Sequence, residues 1–293
     1  MKRVLITGSG SYVGTHVMER LREEPDKFEV QELDVKGDVW KTFDFSSFDS
    51  VFHVAGIAHV STDPSMELLY MQVNRDLTID VAKHAKEAGV QQFIFMSSAI
   101  VYGDSKPAGT GKPISKMTKP NPANFYGRSK LEAEEGLTIL NDEAFKVAIV
   151  RAPMIFGPNA KGNFPKLVSM ARKLPVFPNI RNARSMLYVG NLAELIKQLL
   201  QNDCYGMFLP QEETVICTSN LVKQIAEISG KNIHLTKVFN PVLNTILQNN
   251  ELVVKAFGDL FYSKDESAFN FNYHRYSIKE ALKQIAQTEG WIA

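Results

Sequence analysis

The sequence predicts an α/β fold: a doubly wound parallel sheet with helices on both faces and a smaller C-terminal lobe interleaved with it. Three observations carry this. Short apolar runs alternate with helix-periodic segments through the first 150 residues, the pattern of right-handed crossovers between parallel strands. A glycine-rich loop, Thr7-Gly8-Ser9-Gly10-Ser11-Tyr12-Val13-Gly14, joins the first apolar run to the first helix. Composition then shifts near residue 151, where Pro153, Pro158, Pro165, Pro175 and Pro178 break up the next stretch.

Taken in order, Arg3–Thr7 is a buried strand, and Val13, Val17 and Leu21 share one face of a helix ending near Glu23. Glu29–Leu33 is the second strand, and Val51–Ala55 is the third, ending at Gly56. Ser65 to about Ala88 reads as one long helix stopped by Gly89. Phe93–Met96 is a central strand ending at Ser97-Ser98, Asn124 to about Leu140 is a helix, and Lys146–Val150 is the next strand. Beyond the prolines, Ser185–Val189 and the helix from Asn191 to about Gln201 read as a return to the main sheet. Asn220–Ser229 and Ser277–Gln287 are further helices. The expected division is 1–152 plus about 181–203 for the sheet domain, and about 153–180 plus 204–293 for the smaller lobe.

Bulk properties exclude several classes. The 293 residues carry a net charge of +1 with mixed signs, so nothing argues for a nucleic-acid or membrane-surface partner. The longest apolar runs fall short of the roughly 20 residues that span a bilayer. Cys204 and Cys217 form no disulfide framework and no metal set, which suits a reducing cytoplasm. The chain enters a strand at once with no signal peptide ahead of it.

Chemistry concentrates in two places. A glycine loop between strand and helix lets backbone approach a diphosphate, while the helix N-terminus supplies amide donors and positive dipole. Tyr126 and Lys130 stand four apart in a helical segment, so both leave one face a turn apart. A nearby ammonium favours phenolate, which would pull the tyrosine pKa from near 10 toward the working range.

Together with Phe52-His53-Val54-Ala55-Gly56, Val73-Asn74, Ser97 to Gly103, Tyr126-Gly127-Arg128-Ser129-Lys130 and Arg151 to Pro158, these segments resemble the extended short-chain dehydrogenase/reductase family. Within it they resemble the sugar-nucleotide epimerase/dehydratase group, over about residues 3–200. The resemblance implies a Rossmann-type sheet domain binding NAD, a substrate lobe and a homodimer. It also implies a nucleotide-sugar substrate, UDP-linked. Ser98 would hydrogen-bond the reacting sugar oxygen, Tyr126 would exchange the proton, and Lys130 would hold the nicotinamide ribose and keep Tyr126 acidic. Gly8, Gly10, Ser11, Tyr12, Val13, Gly14, Ala55, Gly56, Asn74 and Pro153 would complete the cofactor site. Ala99 and Asn163 would lie against the sugar, and Arg184 would bind the substrate diphosphate.

Some positions depart from the family pattern. Ser11 replaces the middle glycine, and its side chain is expected to crowd the diphosphate. Ala99 and Ile100 stand where sugar dehydratases carry an Asp-Glu pair, which argues against elimination. Asp34 favours NAD through the ribose hydroxyl, whereas Lys36 leaves NADP possible. Asp38 could lie beside the adenine, His59 could reach the sugar, and Arg275 is a weak candidate for a second phosphate-binding arginine. Three functions stay open: a UDP-hexose or UDP-N-acetylhexosamine 4-epimerase, an NADPH-dependent 4-keto sugar-nucleotide reductase, and a non-catalytic NAD(P) sensor.

Overall fold

The computed structural model describes residues 1–57, 63–238, 240, 254 and 257–291. His59 lies outside them. The strands are β1 (Lys2–Thr7), β2 (Phe28–Leu33), β3 (Ser50–His53), β4 (Gln92–Ser98), β5 (Lys146–Ala152), β6 (Met154–Phe156), β7 (Val176–Pro178), β8 (Met186–Tyr188), β9 (Gly206–Phe208) and β10 (His234–Thr236). Six form one parallel sheet in the order β2-β1-β3-β4-β5-β9. The order reverses between β1 and β3, and ligands of such sheets bind outside the carboxyl ends of the strands at that point.

Side chains of a strand alternate between faces, and here both faces are apolar. Val4, Ile6, Phe52, Ile94, Met96, Ala148 and Val150 meet α1 (Tyr12–Arg22) and α6 (Val189–Gln201) through Val17, Leu21, Leu192 and Leu195. Leu5, Val51, Phe93, Phe95, Val147 and Ile149 face α3 (Leu77–Glu87) and α4 (Phe125–Leu140) through Val81, Ala85, Ala133 and Leu137. Arg20 on α1 donates to Glu194 on α6 at 2.5 Å, which ties the first helix to the sheet's flank. A separate core, including Phe156, Phe164, Leu167, Phe177, Val222, Ile225, Leu282 and Trp291, packs α5 (Asn163–Lys173), α7 (Thr218–Ile228) and α8 (Ile278–Thr288) together.

Three expectations are corrected. The strand around Met186–Tyr188 does not rejoin the main sheet. It pairs with β6 in a two-stranded sheet, and only the helix after it, α6, returns to the sheet face. Conversely, β9 lies in the stretch assigned to the smaller lobe yet extends the main sheet beside β5; three residues beginning with glycine carry no readable strand pattern. The expected long helix from Ser65 is segmented: a 3-10 turn at Pro64–Met66, α2 (Glu67–Tyr70), a π turn at Met71–Asp76 and then α3. Apolar spacing does not register one added backbone residue in a turn.

Gly8 sets how closely the first loop approaches the third strand. Its φ is +109°, and a Cβ there would lie 2.7 Å from the backbone nitrogen of Ala55. Gly8→Ala therefore meets left-handed strain and an immovable neighbour together. The expected cost is at least ~3 kcal/mol in urea unfolding; a loss under ~1 kcal/mol would mean the loop and the end of β3 can separate.

Candidate active site

The glycine loop and the start of α1 make one wall. Gly10 adopts φ +67° with no atom within 4 Å of where a Cβ would stand. No acidic residue occupies the first turn of α1. The helix N-terminus and its dipole thus suit a dinucleotide diphosphate, with the Gly14 and Gly10 N–H groups engaged by Ser11 Oγ and by Glu32. Ser11 does not crowd this wall as expected. Its φ of −71° is ordinary, and its hydroxyl turns back to accept the Gly14 N–H at 3.2 Å, capping the helix.

At the end of β2, Asp34 is exposed and folds into a local turn, accepting the Lys36 N–H at 2.9 Å. Lys36 is exposed as well. Sequence reasoning overlooked Glu32, whose carboxylate accepts the Gly10 N–H at 3.2 Å. Two carboxylates therefore stand at this end of the sheet; the signal was present as the acidic pair flanking Leu33. Asp38 instead pairs with the neighbouring Lys41.

The second wall is built from β3, the π turn and α4. The π turn carries Asn74 inward, fully buried. Its side-chain oxygen accepts the Ile57 N–H at 2.8 Å, and its amide donates to Ile57 O and to Ser129 Oγ, each at 3.1 Å. A Cβ on Gly56 would meet this Asn74 oxygen and, at 3.3 Å, Lys130 Nζ. The chain after β3 thus runs directly over Lys130. Pro153 is buried where β5 passes into β6.

Ser98, Tyr126 and Lys130 come together above the end of β4. Asn124 caps α4 through the Gly127 N–H at 2.9 Å, and Tyr126 and Lys130 project from the buried face of that helix. Ser98 Oγ accepts the Ile100 N–H at 3.3 Å, leaving its own proton available to favour the Tyr126 phenolate, whose pKa it lowers. Lys130 Nζ donates to Met96 O at 2.9 Å and sits 4.6 Å from the centre of the Phe95 ring.

The electrostatics differ from the expectation. Burial pushes the Tyr126 phenol up to about 12, against the pull of the Ser98 hydroxyl. Lys130 does not lower it in this state, because its ammonium is directed at Met96 and Phe95. Burial instead holds Lys130 down at about 8, with Glu134 opposing. An enclosed apolar site disfavours both charged forms.

Arg184 and Asn163 make no direct contact with that cluster. Arg184 is buried and donates to Ser105 Oγ at 3.2 Å and Gly258 O at 3.1 Å. Burial lowers its pKa to about 10, with Asp259 opposing. Among the described residues it forms no salt bridge, since Asp259 accepts the Ala183 and Gly111 backbone N–H groups. Asn163 begins α5 after Gly162. Arg275 is spent elsewhere, paired with Glu23 at 2.9 Å beyond the far end of α1. Ala99 is buried and, like Ile100, offers no proton-transfer group.

The glycine loop at a strand switch point, with a Ser-Tyr-Lys cluster across from it, defines an extended short-chain dehydrogenase/reductase with a Rossmann-type fold. The profile of the NAD dependent epimerase/dehydratase family matches residues 4–208, and the chain belongs to that family, whose cofactor is NAD(P). It is 32% identical to a UDP-glucose 4-epimerase of Vibrio cholerae, over 77% of this chain and 75% of that protein. It is also 32% identical to an N-acetyl-alpha-D-glucosaminyl-diphospho-ditrans,octacis-undecaprenol 4-epimerase of Escherichia coli, over 78% of this chain and 73% of that one. Among solved structures, a UDP-N-acetylglucosamine 4-epimerase from Methanobrevibacter ruminantium superposes with a TM-score of 0.75 at 18% identity, covering 98% of each chain.

His53 closes the back of the site. Its Nδ1 meets Thr7 Oγ1 at 2.7 Å and its Nε2 meets Thr78 Oγ1 at 3.1 Å. Burial, with Lys130 adding, drives its pKa down to about 3. In the unfolded chain it protonates near 6.5. As pH falls between about 6.5 and 3, the unfolded state gains a proton that the folded state refuses, so stability drops by about 1.4 kcal/mol per pH unit from this group. Between pH 6 and 4 the slope of unfolding free energy in His53→Gln should be shallower by about that amount. Equal slopes would show that the ring is charged in the native protein.

Proposed function

We propose that the protein is an NAD-dependent 4-epimerase of a nucleotide-activated sugar, most simply a UDP-hexose or UDP-N-acetylhexosamine. The observation that carries this is Ser98, Tyr126 and Lys130 gathered at the end of β4, with Ser98 favouring the Tyr126 phenolate, beside the glycine loop and with no acid or base at Ala99 and Ile100. Such a site can move one proton at one oxygen and cannot perform an elimination that needs a further acid and base.

Bound NAD supplies the acceptor and then the donor of the hydride. The residues of the chain handle the rest. Ser98, its lone pair engaged by Ile100, directs its hydroxyl proton to the Tyr126 oxygen and to the sugar hydroxyl that replaces it as acceptor. Tyr126 takes the hydroxyl proton as phenolate and returns it on reversal. Lys130 holds the cofactor's ribose and adds the positive charge that the phenolate needs. Arg184, a buried guanidinium with no salt-bridged carboxylate among the described residues, is the proposed ligand of the substrate diphosphate. Both relatives described above act on sugars carried on a diphosphate, in one case nucleoside-linked and in the other polyprenol-linked. Asn163, at the start of α5, is proposed to cover the sugar.

Glu32 and Asp34 favour NAD, since two carboxylates at the end of β2 repel a 2′-phosphate. A second reading, NADPH-dependent reduction of a 4-keto nucleotide sugar, draws on Lys36, exposed two residues from Asp34. A homodimer through the α3–α4 face belongs to the same proposal; Leu68 on α2 and Ile139 on α4 are 67% and 84% exposed. The sheet domain and interleaved lobe would then share the substrate between them.

Denaturing the purified protein and identifying the released nucleotide separates the two readings. Near-stoichiometric NAD is expected, as an epimerase recycles its cofactor in place; NADP or no nucleotide would favour the reductase. Tyr126→Phe should lower kcat for UDP-hexose interconversion by about 10²–10⁴-fold while retaining the nucleotide. Full activity in that variant would remove Tyr126 from the proton transfer.

A further inference from the structure

Behind the site lies a buried ion pair that the chemistry above does not use. Glu134 follows Lys130 by one turn of α4, as Lys130 follows Tyr126, so three side chains descend one face of the helix. Tyr126, Lys130 and Glu134 are 8%, 6% and 3% exposed. Arg151 on β5 grips Glu134 with a fork: Nε to Oε1 at 3.0 Å and to Oε2 at 3.1 Å, and Nη2 to Oε2 at 2.5 Å. Ser97, the residue before Ser98, donates its hydroxyl to Glu134 Oε1. Arg151 Nη1 donates to Tyr102 Oη at 2.6 Å, at the end of the turn that Ser98 caps. Tyr262, from the C-terminal segment, donates to Arg151 O at 2.6 Å.

Replacing such a pair with apolar side chains is often neutral or stabilising, so its presence is weak evidence for a stability role. Its placement is more telling. One carboxylate touches the residue next to Ser98 and stands one helical turn beneath the ammonium of Lys130. We infer that Glu134 is a positioning residue with two tasks: its negative charge keeps Lys130 protonated in an apolar enclosure, and its Arg151–Ser97 grip holds the end of β4 so that Ser98 meets Tyr126. The inference rests on Lys130 serving in its charged form.

Among the described residues, the groups facing Lys130 are few. On α4 they are Tyr126 and Glu134. From β3 comes His53, neutral between Thr7 and Thr78. From β4 come Met96 O and the Phe95 ring. Arg151, on β5, lies beyond Glu134. Glu134 is the one anion in this set, and it is the group that opposes the burial of Lys130. Arg151 works against it by drawing off part of its field. Removing Glu134's charge and removing Arg151's charge should therefore move Lys130 in opposite directions.

The test reads Lys130 directly and needs no substrate. The full-length protein, carrying whatever nucleotide it retains, is labelled with ¹³Cε-lysine and titrated by NMR, with Lys130→Arg assigning the resonance. Glu134→Gln should lower the Lys130 midpoint by about one pH unit or more, and Arg151→Met should raise it. A purely structural role for the pair predicts a lower Tm in both variants with no shift of opposite sign. The doubly substituted Glu134→Gln, Arg151→Met protein, which leaves no charge unpaired, covers the case in which a single variant fails to fold; its midpoint should also fall. Midpoints within about 0.3 of the parent in Glu134→Gln and in the double variant would overturn the inference. In an active preparation, the alkaline limb of kcat should move down in Glu134→Gln with KM nearly unchanged. Loss of turnover with the NMR shift intact would count against the epimerase reading and leave the Glu134 assignment standing.

Discussion

The buried face of α4 is the constraint on which the site depends. A phenol, an ammonium and a carboxylate lie one turn apart, all sealed against the ends of β4 and β5. Each must be partnered, because an unsatisfied polar group in such a place costs more than a hydrogen bond returns. The partners are therefore dictated: Met96 O for Lys130, Arg151 and Ser97 for Glu134, with Ser98 favouring the charged form of Tyr126. These same bonds hold the end of β4 that carries the serine and bind the helix to the sheet.

The opposing wall follows from a different economy. Gly8 lets the loop after β1 press onto Ala55, and Ser11 caps α1 with its own hydroxyl. A side chain in the family's usual glycine position thus becomes a helix cap instead of an obstruction. Burial of the cluster has an electrostatic consequence as well. With Tyr126 near 12 and Lys130 near 8, the protein's resting site holds a neutral phenol beside an ammonium that burial weakens. The charged pair needed for proton exchange is reached only when ligand charge and hydrogen bonds offset desolvation.

Legibility varied with the range of the interaction that fixes each residue. Ser98, Tyr126, Lys130 and the glycine loop were readable because each sits in a short motif whose spacing is set by one helix or one strand–loop–helix unit. Asn74 was legible as a motif residue, but not the π turn that swings it into the wall, since one extra residue in a turn leaves no periodic trace. Glu32 was overlooked because its contact with Gly10 joins β2 to the loop after β1. The pairing of β8 with β6, and of β9 with β5, escaped for the same reason: three-residue strands carry too little alternation to reveal a partner.

By itself, the sequence determined the alternation of strands and helices, the apolar faces of the sheet, the family and the identities of the cluster on α4. These depend on local periodicity and on side-chain chemistry that a chain carries before it folds. Tertiary structure alone decided that Lys130 points at Met96 and Phe95, that Arg184 is a buried cation without a salt bridge among the described residues, and that Glu134 and Arg151 meet behind Ser98. Charge state and orientation are settled by desolvation and by partners distant in sequence, and both come into being only when the sheet, α4 and the C-terminal segment close on one another.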